Sequence, residues 1–356
     1  MCDFLSGAVT MERHPKVLCG DLAHHEMTVQ RCQLKPETYR EWEWTKDDDG
    51  QSLTVRAVPG ENPNILKSAI LARFANRREC LNDCIRQVNE FGGPLFFVGL
   101  TSAEGLTFPQ TVNGNLGLDW LTSAVGLTLP QTVRGHLHLD NLTSAEGLTL
   151  PQTVGGDLRL NCLTSAKGLT FPQMVGGDLW LDDLLSAEDL ILPQAVGDCL
   201  CLDRLTSAKG LTLPQTVGGS LWCSRLTSVV DLTWPQTVGG SLWLGLLASA
   251  EGLTLPQTVG GDLYLDSLTS AKGLKLPQTV GGNLCLSSLT SAEGLTFPQT
   301  VGGDLYLNGL PSVAGLTLPQ AVGGDLFLGH LPSAESLTLP HTFNGNVYTK
   351  FGKMPK

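Results

Sequence analysis

Charge is scarce in this sequence. Only 16% of its 356 residues are charged, while 42% are hydrophobic, a balance that excludes an intrinsically disordered chain. Positive charge is the scarcer sign: 23 Lys and Arg stand against 34 Asp and Glu, for a formal net charge of -11. Phosphate backbones attract basic faces, so direct nucleic-acid binding is disfavoured. No run of 18 apolar residues occurs, so no helical membrane span is expected. The segment Met1 to Gly7 lacks a basic region and a long apolar core, and does not read as a signal peptide. The ten cysteines include no CxxC pair. Their scatter suits reduced thiols and a cytoplasmic location, not a metal or redox role. No enzyme motif appears and no cofactor is implied.

What the chain has in abundance is repetition. A 21-residue unit begins at Leu100 and recurs at Leu121, Leu142, Leu163, Leu184, Leu205, Leu226, Leu247, Leu268, Leu289, Leu310 and Leu331, without insertion or deletion. Counted from its first leucine, a unit is apolar at positions 1, 4, 7, 9, 13, 17 and 19. In the unit at Leu142 these are Leu142, Ala145, Leu148, Leu150, Val154, Leu158 and Leu160. Leu148-x-Leu150 and Leu158-x-Leu160 alternate with period two, which predicts two strands per unit, each with one face inward. Position 10 is proline throughout, from Pro109 to Pro340. Proline cannot donate to a central ladder, so it should mark a corner. Positions 14 and 15 are mostly Gly-Gly, read as a sharp entry into the second strand. Ser at position 3 and Gln at position 11 suggest polar ladders along a stack.

A fixed period without indels makes each unit one coil of a solenoid. The expected fold is therefore mainly β: a parallel β-solenoid or leucine-rich-repeat-like array of about twelve coils over residues 91–351. Phe91 to Val98 serves as a half-coil cap, the last coil is divergent, and residues 352–356 form a tail. Residues 1–90 carry no repeat. Strands are expected at Phe4–Val9, Lys16–Cys19, Tyr39–Thr45 and Ser52–Val58, and helices at Leu22–Gln33 and from Asn62 to Val88, which together make a small α+β domain.

The motif Leu142-Thr-Ser-Ala-Glu-Gly-Leu-Thr-Leu-Pro-Gln-Thr-Val-Gly-Gly-Asp-Leu-Arg-Leu160 resembles short bacterial leucine-rich repeats. It is closer still to Thr-Val-Gly-Gly-x-Leu-x-Leu arrays of bacterial and phage proteins. It departs from ordinary leucine-rich repeats in having no regular Asn after the strand. The resemblance implies a protein-binding scaffold, an inference from fold.

If positions 17 and 19 point inward, positions 16, 18 and 20 face outward on one sheet. Position 18 varies most and turns aromatic from Trp180 onward: Trp180, Trp222, Trp243, Tyr264, Tyr306, Phe327 and Tyr348. Carboxylates flank it, among them Asp178, Asp262 and Asp304 at position 16, and Asp182 and Asp266 at position 20. Such a face reads as a recognition surface for a protein with basic and apolar groups. The bland reading is a set of aromatics that only stabilise an exposed sheet. Three alternatives stand beside the binding scaffold: a polysaccharide-binding or polysaccharide-acting solenoid, a purely structural rod, and an acidic nucleic-acid mimic. None of Asp189, Asp198 and Asp231, the irregular acids, makes an evident acid/base pair. His136, His138 and Asp140 alternate on one strand, and the adjacent coils add Asp119 and Asp157, a constellation for a divalent metal that is weaker than the non-metal reading.

Overall fold

The computed structural model describes residues 6–10, 17–19, 39–45, 52–55, 82, 85, 86, 88–90, 92–97 and 100–354, apart from 189, 230–231, 314–315 and 334–336. The helix at 22–33, the start of the helix at 62, Asp189 and Asp231 lie outside the described residues. The fold is a parallel β-solenoid of twelve 21-residue coils, divided between two compact units, Met1–Leu160 and Asn161–Lys356.

In the first unit, four strands near the N-terminus pair antiparallel. Ser6–Thr10 lies between Val17–Cys19 and Tyr39–Thr45, and Tyr39–Thr45 pairs on its other side with Ser52–Val55. A helical segment ending at Glu90 then meets the first coil. Asn82 donates to the Gly105 carbonyl at 3.1 Å and accepts from the Thr107 amide at 2.8 Å. Asn89, buried, donates to the Thr111 carbonyl at 2.8 Å and accepts from the Asn113 amide at 2.7 Å. Two asparagine amides thus bond the terminal coil, whose backbone groups would otherwise form an open edge.

Each coil then repeats one plan. Positions 17–18 form one parallel ladder, seen as Leu95–Phe96, Leu116–Gly117, Leu137–His138 and Leu158–Arg159 in the first unit. In the second unit the same ladder runs from Leu179–Trp180 to Val347–Thr349. Leucines at positions 1, 17 and 19 are almost fully buried in nearly every coil, as Leu263, Leu265 and Leu268 illustrate at 0% exposure.

The other ladder is not where alternation placed it. Leu148-x-Leu150 forms no strand. The second ladder is Thr-Val at positions 12–13, after the proline: Thr111–Val112, Thr132–Val133 and Thr153–Val154 in the first unit, and Met174–Val175 to Thr342–Phe343 in the second. Position 8 makes only isolated parallel bridges, such as Thr170 with Ile191 and Lys275 with Thr296. The proline stands at the corner between them, where its missing N–H costs the ladder nothing.

Two local assignments also change. Ser at position 3 bonds within its own coil: its Oγ accepts the amide two residues on, as Ser270 does from Lys272 at 3.2 Å. The side chain thus makes a serine turn, while the backbone at this position forms isolated parallel bridges in some coils, Ser165 with Ser186 and Ser207 with Ser228. The serine turn leads into a β-turn over positions 4–7, in which the Leu274 amide reaches the Ala271 carbonyl at 3.0 Å and Gly273 holds φ at +81°. Positive φ at the third position of that turn is the reason for glycine there. Gln at position 11 bonds along the stack through its backbone, as Gln278 N–H does to the Gln257 carbonyl at 2.8 Å.

The Gly-Gly at positions 14 and 15 serves a different end. These residues do not take positive φ. A Cβ at Gly281 would fall within 3.0 Å of the Gly260 carbonyl oxygen, and one at Gly282 within 3.0 Å of Asp262 Oδ1. Glycine is favoured here because successive coils approach so closely, not because of chain direction; Asn113, Arg134, Asp198 and Asn344 are the departures.

At the far end, Gly352–Lys353 folds back antiparallel on Val347–Thr349, and Met354 N–H reaches the Val347 carbonyl at 2.8 Å. The chain's own reversal pairs the last strand.

Candidate functional site

Position 16 is an acceptor ladder. Its residues differ in name, yet each carries an atom able to accept: Asn115, His136 and Asp157 in the first unit, then Asp178, Cys199, Ser220, Ser241, Asp262, Asn283, Asp304, Asp325 and Asn346 in the second. In the second unit each side chain from Asp178 to Asp325 accepts the backbone N–H of the same position one coil on. The run is unbroken from Asp178 to Asn346, with distances between 2.6 and 3.3 Å. In the first unit His136 N–H goes to Asn115 Oδ1 at 3.0 Å, and Asp157 N–H to His136 Nδ1 at 2.9 Å. At this corner the amides of positions 14 and 15 still reach backbone carbonyls of the coil before, as Gly281 does to Val259 at 2.9 Å and Gly282 to Gly261 at 2.8 Å, and the position-16 amide is satisfied by a side chain.

This places Asp178, Asp262 and Asp304. One oxygen of each holds the next coil. The other oxygen turns to the aromatic two residues on: Trp180 Nε1 donates to Asp178 Oδ2 at 3.2 Å, Tyr264 OH to Asp262 Oδ2 at 3.0 Å, and Tyr306 OH to Asp304 Oδ2 at 3.0 Å. Trp222 has Ser220 at the equivalent place, and its buried Nε1 has no hydrogen-bond partner.

The seven aromatics at position 18 are half-buried and lie on one face of the second unit. Trp243 stacks on Tyr264 with centroids 3.7 Å apart, Tyr306 on Phe327 at 4.6 Å, and Phe327 on Tyr348 at 4.9 Å. These spacings follow the coil spacing of roughly 4.8 Å. Trp180 and Trp222 meet edge to face at 5.9 Å across Cys201, which is fully buried beneath them. Five of the seven rings, Trp243, Tyr264, Tyr306, Phe327 and Tyr348, thus have at least one face covered by a neighbouring ring.

Position 20 keeps the remaining acids. Asp182 and Asp266 are half-buried. Burial, then Asp203 and Asp183, holds the Asp182 carboxyl above its usual range. Burial also pushes the Cys285 thiol up to about 12, and the Asp266, Asp262 and Asp304 charges add to the shift. Cys199 moves the same way, chiefly by burial. These thiols stay protonated near neutral pH and are poor nucleophiles. Cys162, Cys199, Cys201, Cys223 and Cys285 are free.

The three residues singled out for a metal are not brought together. His136 Nδ1 accepts the Asp157 amide, so its lone pair belongs to the ladder. The same atom lies 3.1 Å from Asp157 Oδ2; having accepted a proton donor, it does not also donate to that oxygen. His138 and Asp140 instead converge with Asp119, all three ligand atoms lying within 4.8 Å of one another. Burial lowers the His138 pKa, opposed by Asp119 and reinforced by Arg159. A second group, Asp178, Asp198 and Cys199, meets the same distance limit.

No helix among the described residues is long and apolar enough to cross a membrane. Compared with known proteins, the chain matches no family model, no curated protein and no solved structure.

Proposed function

We propose that this chain is a non-catalytic binding scaffold, cytoplasmic, that engages a protein partner across the outer face of the second unit's sheet. The observation that supports this is the division of labour between neighbouring positions. Position 16 is confined to hydrogen-bond acceptors that hold the stack. Position 18 varies freely and concentrates Trp, Tyr and Phe, the residues that lead interface hot spots. The position-20 acids beside this column, Asp182 and Asp266, favour a partner with basic groups around an apolar centre. The likeness to leucine-rich repeats and to bacterial and phage Thr-Val-Gly-Gly arrays points the same way, by analogy of fold.

The other readings have less support. A sugar platform needs open ring faces, and here Trp243 and Tyr264 cover one another, as do Tyr306 and Phe327. A mimic of nucleic acid needs a row of free anionic oxygens, yet Asp262 and Asp304 spend both oxygens on internal bonds.

The test is affinity capture with the intact protein beside Trp222→Ala with Trp243→Ala, together with a turnover screen on polysaccharides. A captured protein that the variant loses supports the proposal. Turnover of any polysaccharide contradicts it.

A further inference from the structure

We propose that Asp119, His138 and Asp140 form a divalent-cation site that clamps the first coil to the second. Asp119 belongs to the coil that begins at Leu100; His138 and Asp140 belong to the next. One imidazole and two carboxylates suit a cation that takes mixed nitrogen and oxygen ligands, such as Mn²⁺ or Zn²⁺. A metal held at about 2.1 Å by each ligand sets neighbouring donor atoms roughly 3 Å apart. His138 Nδ1 and Asp119 Oδ1 are 3.8 Å apart, so small side-chain rotations close the site.

The surroundings hold these ligands in place. Gly117 pairs with His138 in the parallel ladder, and the Leu118 amide bonds the His138 carbonyl at 2.9 Å. Asn141 Nδ2 donates to the Asp119 carbonyl, fixing the backbone behind that ligand. Phe96 forms one wall, its ring centroid 6.5 Å from that of His138. Gly117 lets the wall close in, because a Cβ there would overlap the Phe96 ring within 3.0 Å and press on Asp119 Oδ2 at 3.3 Å. Ligands carried on a rigid stack with a shaped wall are what a defined metal site requires.

The group Asp178, Asp198 and Cys199 lacks these properties. Asp178 Oδ1 already accepts the Cys199 amide at 2.8 Å, Cys199 Sγ already accepts the Ser220 amide at 3.3 Å, and burial keeps the thiol protonated.

Mn²⁺ is the probe of choice, since it avoids the chain's ten cysteines. Titration of the full chain under reducing conditions, read by loss of the free Mn²⁺ EPR signal, should show one site. His138→Gln and Asp119→Asn should each weaken it about tenfold or more, with circular dichroism unchanged, and Cys199→Ser should leave it intact. Bound Mn²⁺ should also slow hydrogen exchange at the Leu118 amide in the intact protein and not in His138→Gln. Equal binding by wild type and both ligand variants overturns the proposal. So does loss of the site in Cys199→Ser, or the absence of any site.

Discussion

Asp262 holds Tyr264 and the next coil with one carboxylate. The tyrosine hydroxyl donates to Asp262 Oδ2 at 3.0 Å, and the other oxygen of the same carboxylate accepts the Asn283 amide one coil on, at 2.6 Å. A residue that looks like part of a surface is thereby part of the stack. Asp304 repeats the arrangement with Tyr306 and Asp325.

Asp262→Ala should therefore cost stability, since it strands a half-buried amide. The expected loss is about 1–3 kcal/mol. Asp262→Asn keeps an acceptor oxygen for Asn283 and should cost clearly less. Urea denaturation of both variants checks this; equal losses would mean that the acceptor ladder does not hold the coils.

Alkaline pH should separate the same pair. Burial, with the hydrogen bond and charge of the adjacent carboxylate, pushes Tyr264 and Tyr306 up to about 12, against about 10 for a free tyrosine. The folded state thus holds these protons more tightly than the unfolded state does. The contribution to stability is complete below pH 10 and is lost as pH rises towards 12. Ultraviolet titration should show late ionisation of these two tyrosines, and Asp262→Asn should bring Tyr264 down.

The glycines of a unit should respond in opposite ways. Gly294 has φ of +76° and open space within 4 Å of where a Cβ would stand, whereas a Cβ on Gly282 would meet Asp262 Oδ1 and its backbone. Asparagine tolerates left-handed backbone, so Gly294→Asn should shift stability only slightly. Gly282→Asn should cost about 1–3 kcal/mol through overpacking. Thermal melts of the two variants decide it.

Trp222 offers a gain. Its indole N–H is buried without a partner, while Trp180 has Asp178. Ser220→Asp should supply that acceptor and still receive the Ser241 amide, which Ser220 Oγ now accepts at 2.9 Å. The expected change is a stabilisation of about 0.5–1.5 kcal/mol, read as an increased denaturation midpoint.

The solenoid and the 17–19 strand were legible in the sequence because period two and a fixed repeat are strong signals, as Leu158-x-Leu160 illustrates. The second ladder was not. A two-residue strand such as Thr153–Val154 is too short to show alternation, and Leu148-x-Leu150 shows it without forming a strand. The position-16 ladder was hidden by its variety, since Asn, His, Asp, Cys and Ser share no charge or size. The signal that identifies it is that every one of the twelve carries an acceptor next to a position kept mostly as glycine. The metal constellation was legible in part: the repeat placed Asp119 beside His138 and Asp140, but alternation could not show that His136 Nδ1 is taken by the Asp157 amide.

Column and ladder are best compared side by side in one experiment. Trp222→Ala with Trp243→Ala alters the column, Asp262→Ala alters the ladder, and each is measured for melting temperature and for capture of a partner by the intact chain. The tryptophan variant should keep its β-sheet circular dichroism and lose the partner, while the aspartate variant should chiefly lose stability. A tryptophan variant that unfolds, or one that captures the same partner as wild type, would contradict the assignment of binding to the column.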